Sequence, residues 1–171
     1  VVLDNALWEG MPLAPVRRLA GDLDHAVLCF HGDLIPALID QLIAEAEARS
    51  KGISIEDSKK RIDDPDTVFV DLRDVRELER DGMIPGAFHA PRGMLEFWVD
   101  PDSPYYKPVF AEGKTFILYC QADWRGVLAA ATLADMGMPN VLHLEGGYGE
   151  WKKAGAPTAV RDNTKREKKK A

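Results

Sequence analysis

The chain has 171 residues, 46% of them hydrophobic and 29% charged, with a formal net charge of −6. That composition fits one ordinary globular domain with some extra length and excludes wholesale disorder. The longest apolar runs, such as 127–131, fall far short of the ~20 residues that a bilayer-spanning helix needs, and the acidic balance argues against general nucleic-acid binding. From Arg161 onward, however, six basic residues face two acidic ones, so the last eleven residues form a basic tail expected to be solvated and disordered. Two cysteines, Cys29 and Cys120, make neither a disulfide framework nor a zinc site, and the pattern fits a reducing, cytoplasmic setting. The first ten residues carry Asp4 and Glu9 and no positive charge, so no secretory signal is expected there.

Residues 1–33 carry one short apolar run, 26–30, that reads equally as strand or helix. Leu34, Ile35, Leu38, Ile39, Leu42, Ile43 and Ala46 then recur at helical spacing, predicting an amphipathic helix over 34–49. Asp33 is its candidate cap, Pro36 lies in its first turn and Gly52 stands just past its end. Its stripe is either core or a docking face for a second copy or a partner protein. Residues 1–50 are therefore read as an extension, 51–160 as the main domain and 161–171 as the tail.

Beyond Gly52 the periodicity alternates. Ser54-Ile55-Glu56-Asp57 has capping-box spacing and starts a short helix that stops before Pro65. Residues 67–72 read as a buried strand, 75–80 as a charged helix and 86–90 as a weak strand. Four prolines between Pro91 and Gly113 mark a loop or short-helix excursion. The strongest strand is 115–119. A helix over 125–136 ends at Gly137, a strand follows over 141–144, and Gly146-Gly147 leads into a short helix around Trp151. Strand–helix alternation of this kind predicts an α/β domain around a mainly parallel sheet.

Cys120 stands between a strand and a helix, where parallel sheets gather their ligand sites. A loop Cys120-Gln121-Ala122-Asp123-Trp124-Arg125 there points backbone N–H groups at its own centre. Together with the helix N-terminus and the charge of Arg125, they favour an anion, a thiolate among them. By itself, a lone cysteine is as readily a small buried hydrophobe. His25, His31, His89 and His143 match no metal spacing, and His143 reads as a packed core residue.

The surrounding motifs narrow the reading. Asp71-Leu72-Arg73 with Glu77 and then 82–87 resembles the first signature of rhodanese-like domains, and 144–151 with Ala154-Gly155-Ala156-Pro157 resembles the second. Cys120 to Arg125 occupies the place of that family's active-site loop. The resemblance covers residues 53–158 and implies a three-layer α/β domain with a mainly parallel sheet. It implies a sulfurtransferase in which Cys120 takes a sulfane sulfur from thiosulfate or a related donor and hands it, as a persulfide, to a thiol or cyanide. Gln121, Ala122, Asp123, Trp124 and Arg125 would form the anion cradle, Asp71 and Arg73 would support it, and no metal or organic cofactor is implied. Arg92 is a further candidate for reaching an anionic donor. Gly146-Gly147 and Trp151 read as scaffold. Phosphatases and arsenate reductases of this fold carry one more loop residue, so the six-residue loop favours sulfur transfer. The alternative is a binding or regulatory module of the same fold.

Departures from the family pattern are informative. The usual loop glycine is Asp123, which puts a carboxylate either into the cradle, where it opposes an anionic donor, or outward into solvent. The small hydroxyl residue that often follows the arginine is Gly126, and the usual histidine before Ile84-Pro85-Gly86-Ala87 is Met83.

Overall fold

The computed structural model describes residues 34–111 and 113–161. The expectations for residues 1–33, including Asp33 as a cap, and for the tail after Arg161 lie outside them. The chain divides into two compact units, residues 1–42 and 43–171.

The periodic stretch forms α1, Leu34–Glu47. Within the second unit, Ala46 is buried and packs with Ile43 against Val127, Leu128 and Ala131. The elements that follow are β1 (Gly52–Ile53), α2 (Ile55–Lys59), β2 (Thr67–Asp71), α3 (Val75–Asp81), β3 (Phe88–His89), α4 (Leu95–Val99), β4 (Thr115–Tyr119), α5 (Trp124–Asp135), β5 (Val141–Leu144) and α6 (Gly147–Lys153). Ser54 caps α2 as its spacing predicts, its hydroxyl accepting from the Asp57 N–H at 3.1 Å. That helix stops at Lys59, well short of Pro65. The proline-rich excursion resolves into 3₁₀ turns at Arg92–Met94 and Pro108–Ala111 on either side of α4.

The five strands lie in the order β1-β5-β4-β2-β3, and every pair is parallel. The fold is therefore the expected α/β one, with a sheet parallel throughout. β4 and β2 align over their full length, from Thr67 opposite Thr115 to Asp71 opposite Tyr119. Strand alternation sends Val70, Leu72, Phe116 and Leu118 to one face, against Ala129, Ala130 and Leu133 of α5 and Leu95 of α4. Phe69, Ile117, Tyr119 and Leu144 go to the other, against Tyr148 and Trp151 of α6. Helices on both faces of a sheet bury it twice, which is why β4 reads as a continuous apolar run. No helix among the described residues is long and apolar enough to cross a membrane.

Candidate functional site

Because the strands run parallel, the carboxyl ends of β2, β4 and β5 come together at one edge of the sheet. They deliver Asp71-Leu72-Arg73, Cys120 and Gly146-Gly147 to the same place. Cys120 follows β4 directly and is 2% exposed. The chain around it is fixed from both sides. The Leu72 N–H donates to the Tyr119 carbonyl at 2.9 Å, the Tyr148 N–H to the Cys120 carbonyl at 2.7 Å and the Gly149 N–H to the Gln121 carbonyl at 2.9 Å. Gly147 has φ +63, and a Cβ there would lie 2.6 Å from the Cys120 carbonyl oxygen and 2.7 Å from the Asp123 nitrogen. The start of α6 thus abuts the loop with no room for a side chain.

From Gln121 to Gly126 no backbone N–H donates to an acceptor among the described residues. The loop therefore keeps its donors free, and the first turn of the twelve-residue α5 adds its own. Gln121, Ala122 and Trp124 are exposed, Trp124 at 59%. Asp123 caps α5 by position in a left-handed conformation (φ 70) without accepting from the helix. Its carboxylate takes neither of the two expected directions. It is buried, with Oδ2 2.8 Å from Nδ1 of His143, between the first turn of α5 and β5. His143 is buried as expected, yet it is a polar partner of the loop rather than plain packing.

Arg125 leaves the start of α5 toward α3. Its two terminal nitrogens donate to Glu77 at 3.0 and 2.9 Å. Glu77 in turn accepts from the Asp74 N–H at 2.9 Å, completing a capping box on α3. The Glu77 carboxylate and, more weakly, Cys120 raise the pKa of Arg125 against the opposing effect of burial, and Arg125 holds the Glu77 carboxyl below its ordinary value. Asp71 and Arg73 sit one layer deeper, both fully buried. Arg73 forks onto Asp71 at 2.9 and 2.7 Å and donates to the Gly82 carbonyl at 2.7 Å, with its guanidinium 4.0 Å from the Tyr148 ring centre. Burial lowers its pKa, while the hydrogen bond and charge of Asp71, with Tyr119 and Tyr148 adding to them, raise it above its ordinary value. Through the Tyr148 ring, Arg73 links the first signature segment to the second. Arg92 pairs with Glu96 one turn along at 2.5 Å, while Nε2 of His89 meets the Arg73 carbonyl at 2.8 Å.

Two participants were not assigned in the sequence. The spacing from Asp74 to Glu77 is the capping signal that places Glu77, but nothing local aims it at a residue 48 positions away. The contact of His143 with Asp123 has no periodic signature. The hints lie at the loop itself, in the absence of glycine at 123 and the glycine at 126.

The rhodanese-like domain family model matches residues 54–154. A solved structure from Rhodopseudomonas palustris, of unknown function and reported as a possible tyrosine phosphatase, is 47% identical. The match covers 71% of this chain and 93% of that one at a TM-score of 0.69. A sulfurtransferase from Allochromatium vinosum is 29% identical over 58% of this chain and 85% of its own length. The polysulfide-sulfur transferase homodimer of Wolinella succinogenes is 26% identical, covering 78% of this chain and 95% of that one, with a TM-score of 0.58. Not all relatives are of similar size, for the chain spans 30% of a Synechocystis protein that it matches at 47% identity over 53 residues. The family model covers more than half of the chain and takes in residues 71–87, the Cys120 loop and residues 144–151, and the chain belongs to the rhodanese-like domain family.

Proposed function

We propose that the protein is a sulfurtransferase that carries a sulfane sulfur as a persulfide on Cys120. The observation that supports this best is the six-residue loop from Cys120 to Arg125, at the carboxyl end of the central strand, whose N–H groups from Gln121 on have no acceptor among the described residues. The Cys120 thiolate attacks the outer sulfur of thiosulfate or a related donor. The donor's sulfur–sulfur bond breaks, and sulfite leaves with its electron pair. An acceptor thiolate or cyanide then attacks the terminal sulfur of the persulfide and releases the Cys120 thiolate again. Both steps are covalent catalysis in which the anionic sulfur stays in reach of the same donors. Gln121, Ala122, Asp123, Trp124 and Arg125 bind through the backbone, with Arg125 adding charge shared with Glu77. Asp71 and Arg73 support from below, and Arg92 stands paired at the rim. The named sulfurtransferase relatives agree with this reading.

The Rhodopseudomonas relative favours a second reading, phosphate-ester hydrolysis. The loop argues against it, being one residue shorter than the loops of phosphatases with this fold. Intact-mass measurement separates the two. After incubation with thiosulfate the protein should gain about 32 Da, one sulfur, and Cys120→Ser should gain nothing. No adduct with thiosulfate or polysulfide, beside hydrolysis of an aryl phosphate that depends on Cys120, would establish the phosphatase. Neither activity would leave a binding module.

A further inference from the structure

Two departures from the family pattern, Asp123 and Gly126, meet the buried His143 beneath the loop. Asp123 holds a left-handed turn that a glycine normally takes, and its side chain makes no cap. Instead Oδ2 lies 2.8 Å from His143 Nδ1, with the two residues 8% and 7% exposed. A carboxylate only accepts, so Nδ1 carries the proton. Oδ1 is buried with no partner among the described residues and fills the space above Gly126, where a Cβ would lie 2.6 Å from it. Gly126 is therefore the seat that admits Asp123, and His143 is the partner that makes its burial tolerable, since an unpaired carboxylate there is costly.

We propose that the Asp123–His143 pair, seated over Gly126, is a latch that holds the loop in its anion-binding shape, so that both are positioning residues for Cys120 and its donor. A glycine would take the turn by conformational freedom; here a buried hydrogen-bonded pair takes it by attraction. The proposal rests on the loop being the sulfur-donor site.

The test is a mutant cycle on the full chain, read by the rate of Cys120 alkylation with iodoacetamide, its protection by sulfate, and the KM for thiosulfate. His143→Leu leaves the carboxylate buried without a partner, and should weaken sulfate protection and raise KM tenfold or more. His143→Asn keeps a neutral donor near the same place and should lose less. Adding Asp123→Gly to His143→Leu should recover most of the loss, because glycine needs no latch. A merely structural role for His143 predicts no recovery by Asp123→Gly. The latch is overturned if His143→Leu changes neither protection nor KM, or if the double variant is no better than the single one. Should the wild type form no persulfide while the alkylation cycle behaves as described, the latch stands and the sulfur-transfer reading falls. A flat cycle in a protein that does form persulfide has the opposite meaning.

Discussion

Arg125 divides its charge between Glu77 and the Cys120 loop, and the Glu77 carboxylate is bound at both oxygens. Charge-assisted, bidentate geometry of this kind sets direction as well as energy. It also has a definite pH dependence. The folded pKa of Glu77 lies below its ordinary value of 4.5, chiefly through Arg125. The stability it contributes is therefore complete above that ordinary value and is lost as pH falls through the depressed folded one. The wild type should melt above Glu77→Gln at neutral pH, and the two curves should converge on acidification below 4.5. A gap independent of pH would mean that the pair contributes nothing through its charge. Asp123 shows where residue-level reading stops. The sequence identifies it as a departure from the family pattern and limits its options to cradle or solvent. Its true direction depends on a strand residue twenty positions away and on the missing side chain of Gly126, and only the folded sheet brings these together.

At the level of elements, the strands β2, β4 and β5 and the helix α5 were legible because each carries an apolar pattern long enough to have a period. β1 was not. Its two residues, Gly52 and Ile53, pair with His143 and Leu144, and two residues hold no alternation. Gly52 reads instead as a helix stop. The Gly146-Gly147 pair was readable as scaffold, but its immediate contact with the loop was not, since that follows from β4 and β5 being neighbours. Gly147→Ala tests this contact. The added methyl meets two backbone atoms under 3 Å away at a positive φ, so neither a rotamer change nor a small shift relieves it. We expect a loss of about 2 kcal/mol or more of stability, read by chemical denaturation, with the Cys120 loop disturbed at the same time. An unchanged midpoint together with unchanged alkylation of Cys120 would show that α6 does not brace the loop.

Across the whole molecule, the parallel sheet decides where the chemistry lies, because it sends every strand's carboxyl end to one side and its two helical layers bury everything beneath. The last turn of α1 belongs to this unit through Ile43 and Ala46, and Arg49 adds an ion pair to Asp135. Removing residues 1–50 should therefore cost about 1–3 kcal/mol more than removing residues 1–42, since the longer cut also takes Ile43 and Ala46 away from Val127, Leu128 and Ala131 of α5. Equal denaturation midpoints for the two truncations would show that this packing adds nothing. The central claim, a sulfur held covalently between two half-reactions, is met most directly by counting sulfite. On mixing with thiosulfate in the absence of any acceptor, the protein should release one equivalent of sulfite per chain and then stop, and Cys120→Ser should release none. No release, or release that continues without an acceptor, would contradict the account.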